Sequence, residues 1–242
     1  MPEAAPPRRR AAVAEAAQPA ASPWHPGGRA AQRALKREAV LRVAAQLFNE
    51  KGYAASTLDE VAERLGVSKP TVYYYLDSKD GILFECVKKG LEMLQDAIRR
   101  SDSAGGRAYD KLEAAMRAYV EIVTQDFGMC VIRVGEEPLP PEARRKLRRM
   151  KAALDQEFRA LVEQGIADGS IGPCDPKLAA FTLAGALSWI GRWYDPGGEL
   201  SPDEIATQCI GVLMRGLATR AAGAVPAPAR RARKSTKLEA RP

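Results

Sequence analysis

Histidine is nearly absent from this chain: its 242 residues include one, His25. That sets aside imidazole-based catalysis and most histidine-ligated metals. Cysteine is scarce as well. Cys86, Cys130, Cys174 and Cys209 form no C-x-x-C pair, so neither a zinc site nor a disulfide framework is expected. Cys86 and Cys209 fall in apolar stripes and read as core, which leaves Cys130 and Cys174 open to redox chemistry. No apolar run approaches the roughly 18 residues of a membrane helix, and residues 1–33 lack the continuous apolar segment of a secretion signal. A cytoplasmic protein with no membrane partner is therefore expected. Strand patterning is nearly missing, and no P-loop, G-x-G-x-x-G or G-x-S-x-G string stands in a strand context. No catalytic set and no cofactor are expected.

What is present is charge at the two ends. Residues 1–34 carry five arginines against Glu3 and Glu15, a balance of +3, and residues 220–242 carry seven lysines and arginines against Glu239. The net charge is +7, so the body between is slightly acidic. Residues 1–33 and 220–242 are rich in Ala, Pro and Arg without periodicity and read as disordered arms. Mobile basic arms add salt-sensitive phosphate affinity; solvated extensions of no function have the same composition.

The most informative stretch is residues 57–79, TLDEVAERLGVSKPTVYYYLDSK. Leu58, Val61, Ala62 and Leu65 follow the i, i+3, i+4, i+7 spacing of a helix face. Gly66 stands where a helix stops, Ser68 suits an N-cap, and Pro70 is tolerated in a first turn. A second short helix comes next, with Val72 and Leu76 inward. Lys69, Thr71, Tyr73 and Tyr74 are left for other faces. Three consecutive tyrosines cannot all turn inward, because successive side chains are about 100° apart. Lysine and tyrosine donors suit phosphate oxygens, and a threonine or proline edge suits bases in the major groove. The layout is that of a helix-turn-helix with its second helix as reader.

Helices are expected on both sides. Residues 34–51 carry an apolar stripe (Leu35, Val40, Val43, Ala44, Leu47, Phe48) that ends at Gly52. Residues 79–100 keep a stripe for five turns, a rod joining the reader to the later helices. Residues 101–108 read as a loop. Five further helical patterns lie near 109–126, 128–134 (short or irregular), 142–168, 176–194 and 202–217. The basic run Arg144, Arg145, Lys146, Arg148, Arg149 and Lys151 reads as a solvated face. The last two helices are apolar on more than one side and need a partner surface, which a homodimer supplies.

The submotifs AAQLF at 44–48, GY at 52–53, ST at 56–57, VA at 61–62, LGVS at 65–68, TVYYYL at 71–76 and SK at 78–79 occur in an order and spacing that resembles the TetR family of bacterial regulators. Leu76 departs from that family's usual phenylalanine. The resemblance covers about a fifth of the chain, residues 34–84. It implies an all-α protein with a three-helix DNA-binding domain (34–80) joined by a long helix to a ligand-binding and dimerisation domain (81–219). It implies double-stranded DNA at a palindromic operator as a partner, and association with the nucleoid. DNA contacts are expected from Lys36, Thr57, Ser68, Lys69, Pro70, Thr71, Tyr73, Tyr74 and Lys79, with Arg37 a further candidate.

Over residues 109–217 the order LSWIGRWYDPGG (187–198), LSPDEIA (200–206) and LMRGL (213–217) carries a weaker resemblance, to a subgroup whose members often respond to acyl-CoA thioesters or related lipid and aromatic acids. It implies a repressor released by a small-molecule effector. Tyr119, Phe127, Met129, Arg133, Trp189 and Trp193 are the candidates to line its pocket, with Arg144, Arg145 and Arg148 available to CoA phosphates. Trp189 and Trp193, four apart, are better read as dimer or core packing, and Arg133 suits an ion pair with Glu136 or Glu137. An architectural, ligand-independent DNA binder remains the alternative. An internal cavity separates the two.

Overall fold

The computed structural model describes residues 29–217. Among these the chain is all helical: α1 Arg29–Ala55, α2 Leu58–Leu65, α3 Lys69–Tyr75, α4 Lys79–Ser103, α5 Ala108–Val123, α6 Asp126–Arg133, α7 Pro141–Ala167, α8 Pro176–Trp193 and α9 Pro202–Leu217. His25 and most of both expected arms lie outside the described residues. Residues 29–33, expected in the first arm, belong instead to α1.

Local chemistry sets the ends of the reader unit. Thr57 and Glu60 form a reciprocal capping box at the start of α2, and Gly66, at φ 65°, closes it. Ser78 caps α4 by accepting the Gly81 N–H at 3.0 Å. Gly52, at φ 80°, kinks α1 one turn before its end.

Apolar contacts gather into two cores. One joins α1, α2, α3 and the first half of α4, with Phe48, Val61, Val72 and Ile82 at its centre. It also draws Phe127, Cys130 and Val131 from α6 and Leu147 from α7. The second joins the later part of α4, from Leu94 on, to α5, α7, α8 and α9. The packing thus divides within α4 rather than at the loop after it. Both cores meet on one continuous rod, so a displacement of α4 at one end is felt at the other.

On α8 and α9 a set of large apolar side chains faces outward: Leu178 is 63% exposed, Phe181 44%, Trp189 64%, Trp193 47% and Val212 64%. Such a patch on a folded chain marks an interaction surface.

Candidate functional site

The reader, α3, is held from behind. Val72 is fully buried and Leu76 nearly so, while Tyr75 is half-buried against the same core. This leaves Tyr73 (43% exposed) and Tyr74 (65%) on the outer face with Lys69, Pro70 and the half-buried Thr71. Tyr74 packs edge-on against Tyr75, with ring centroids 5.1 Å apart. Two of the three tyrosines therefore present their hydroxyls outward.

Several expected contact residues are already engaged. The Thr57 N–H donates to Glu60 Oε2 at 3.0 Å, and its hydroxyl accepts the Glu60 N–H at 3.2 Å. A phosphate at Thr57 would have to displace Glu60. The Ser68 and Thr71 hydroxyls share a hydrogen bond of 2.8 Å. Lys69 Nζ lies 2.9 Å from Asp59 Oδ1, and that bond raises its pKa. Lys79 has no acidic partner among the described residues; its ammonium sits 4.3 Å over the Tyr53 ring. Tyr53 is fixed in turn by its hydroxyl bond to Asp80. Lys36 is half-buried on α1, and Arg37 pairs with Glu85 of α4 at 2.9 Å.

Sequence reasoning missed Arg33. It is exposed, has no acidic partner among the described residues, and holds its guanidinium 5.4 Å over the Tyr74 ring. A cation on the face of a reader tyrosine extends the basic surface onto α1. The signal was hidden because residue 33 sits in the Ala- and Arg-rich stretch read as an arm.

A cavity of about 320 Å³ lies where α4, α5, α6, α7 and α8 converge. Leu91 and Leu94 of α4, Ile132 of α6 and Leu154 and Phe158 of α7 form its apolar wall. Tyr119 of α5 shares a 2.9 Å hydrogen bond with Ser188 of α8, and its ring meets Phe158 edge-on at 5.8 Å. Lys151 and Asp155 add charge.

Of the six residues expected to line this pocket, the structure brings Tyr119 to it. Phe127 and Met129 line a separate cleft of about 450 Å³ between α1, α4 and α6. Arg133 points to neither the cavity nor Glu136 and Glu137. It donates to the Gly191 and Tyr194 carbonyls, at 2.8 and 2.6 Å, and so closes the C-terminal end of α8. Trp189 and Trp193 face outward on α8. Arg144 and Arg148 are taken up by Glu136 and Glu137, while Arg145 is exposed without an ion pair among the described residues. Cys130 is buried in the reader-side core, where burial pushes its thiol pKa up to about 12, so it is no ready thiolate. No cluster with the composition of a metal site occurs among the described residues.

α6 connects the two places. Val131 and Ile132 line the cavity, while Asp126 at its start accepts from Gln46 Nε2 of α1 at 3.1 Å and offers its carbonyl to Asn49 Nδ2 at 2.9 Å.

A helix-turn-helix unit carried on a rod that lines a half-enclosed apolar cavity defines a DNA-binding transcriptional regulator. Comparison with known proteins agrees. Residues 40–86 match the model for bacterial regulatory proteins of the tetR family, and residues 105–217 match the tetracyclin repressor-like C-terminal domain. A solved regulator of the TetR/AcrR family from Thermobifida fusca YX-ER1 is 31% identical, over 75% of this chain and 97% of its own, with a TM-score of 0.59. The repressor KstR2 of Rhodococcus jostii is 27% identical over 189 residues, 76% of this chain and 92% of its own. AibR, solved with isovaleryl coenzyme A and operator DNA, has the same fold (TM-score 0.66 at 24% identity, over 74% of this chain and 98% of its own). The chain belongs to the TetR family of transcriptional regulators and is not an enzyme.

Proposed function

We propose that this protein is a homodimeric repressor, resident in the cytoplasm on the nucleoid, which leaves a palindromic operator when its cavity takes up a small apolar effector: an acyl-CoA thioester or an apolar acid. The observation that carries this reading is the place of the cavity on α4. Leu91 and Leu94 line it, and two to three turns earlier Ile82 and Leu83 are buried in the core that supports α3. An occupant that favours one position of α4 over another biases the reader by its difference in affinity for the two.

On this reading Pro70 and Thr71 meet base edges in the major groove. Lys36, Ser68, Lys69, Tyr73, Tyr74, Lys79 and Arg33 meet phosphate, with Thr57 close to the backbone. The outward apolar face of α8 and α9 buries itself against a second copy, and the two readers then repeat with the operator half-sites. By likeness, the KstR2 name supports a repressor and the AibR complex a CoA-type effector. The cavity favours ligand control over an architectural role.

The test is genomic footprinting of the purified protein, repeated with a panel of acyl-CoAs and free acids. A few palindromic sites, lost on adding one compound, are expected. Broad occupancy that no compound moves would overturn the effector reading in favour of the architectural one.

A further inference from the structure

We propose that the cavity accepts the uncharged carbonyl end of an ester-linked acyl group, a thioester in the coenzyme A case, and rejects the corresponding free acid, with Asp155 as the discriminating residue. This rests on the effector reading above and narrows it.

Two of the lining residues carry charge, Lys151 and Asp155. Lys151 is committed: its ammonium is bonded to Glu136, a buried carboxylate that also pairs with Arg148 at 3.4 Å. Asp155 lies one turn further along α7. It is half-buried, with no hydrogen bond and no ion pair within 4.0 Å among the described residues. Burial raises its pKa against the opposing charge of Arg159. Its charge also reaches the phenol of Tyr119, whose pKa burial raises and Asp155 raises further. Of the two charged lining residues, Asp155 is thus the one without an ion pair among the described residues.

Apart from the Tyr119 and Ser188 hydroxyls the remaining wall is apolar, so a ligand carboxylate placed there would face a like charge in a half-enclosed space. A carbonyl oxygen meets no such penalty. The Tyr119–Ser188 bond uses one of two hydroxyl protons and leaves the other for an acceptor in the cavity. At about 320 Å³ the space is at the small end for a ligand pocket, enough for an acyl group but not for a whole coenzyme. The rest of the coenzyme would remain outside it.

The test is calorimetry on the full chain at neutral pH with three probes of one chain length: the hexanoyl thioester of N-acetylcysteamine, hexanoate and hexylamine. The thioester should bind the native protein at least about tenfold more tightly than hexanoate. Asp155→Asn should close that gap, and Asp155→Glu, which keeps the charge, should preserve it. Equal binding of acid and thioester by the native protein, or a gap that survives Asp155→Asn, overturns the inference and leaves the effector reading standing. Tightest binding of hexylamine overturns the acyl assignment in both. Binding of no probe by a protein that still binds its operator overturns both.

Discussion

At the scale of single residues, the exposed Tyr74 and the half-buried Lys79 have the most direct consequences. Tyr74→Phe removes one hydroxyl and no packing, and a bond from that hydroxyl to phosphate is worth about 1.5–3 kcal/mol. Operator affinity measured by fluorescence anisotropy should fall accordingly; an unchanged affinity would remove the contact. Lys79→Ala should weaken binding to all sequences alike and flatten the salt slope by about one unit. Arg133 belongs to stability rather than to recognition. Its loss leaves two carbonyls at the end of α8 without their partner, so Arg133→Ala should cost about 1–3 kcal/mol in urea unfolding. Glu136 gives the pH dependence. Burial pushes its carboxyl up, but Lys151 and Arg148 outweigh that push and the net shift is downward. Its contribution to stability is present above the unfolded-state glutamate range and lost as pH falls through the lowered folded value. Unfolding midpoints should therefore fall more shallowly on acidification in Glu136→Gln than in the native protein. The tyrosines were legible from sequence because helical spacing alone forces part of the run outward. Arg133 was not: an arginine in an apolar stretch looks the same whether it meets a ligand, a glutamate or the end of another helix.

At the scale of elements, caps and breakers carried most of the information. Gly66, read as a helix stop, and Ser68, read as an N-cap, stand at the end of α2 and the start of α3. Gly128 misled, since it reads as a helix start but lies inside α6. A Cβ there would stand 1.9 Å from the Ile122 carbonyl oxygen, so the residue serves the close approach of α6 to the end of α5. Gly128→Ala should destabilise by about 3 kcal/mol and unsettle the cavity wall with it. The link from α6 to α1 was not legible, because Gln46 and Asn49 lie 80 and 77 residues from Asp126. If α6 passes cavity occupation to the reader unit, Gln46→Ala should keep operator affinity near the native value yet reduce effector-induced release. Full release in that variant would show that α4 alone carries the signal.

At the scale of the whole molecule, the all-α architecture and the reader unit were legible because short-range patterns define both. The cavity was not. It is assembled from five helices whose lining residues span positions 91–188, and no local period records which of them converge. The two tryptophans read as pocket lining or, better, as dimer or core packing, and their exposure on α8 turns them toward a partner surface. Trp189→Glu together with Val212→Glu should therefore yield a monomer by light scattering with a folded helical spectrum; a dimer of unchanged mass would move the interface elsewhere. The central claim is that an occupant of the cavity controls the reader. It is tested most directly by titrating operator DNA with and without the effector found by footprinting, in the native protein and in Ala184→Trp, which fills the cavity from α8. The account predicts release of DNA from the native protein on adding effector, and an operator affinity in the filled variant that the effector no longer changes. Equal release from both would place the controlling site outside the cavity.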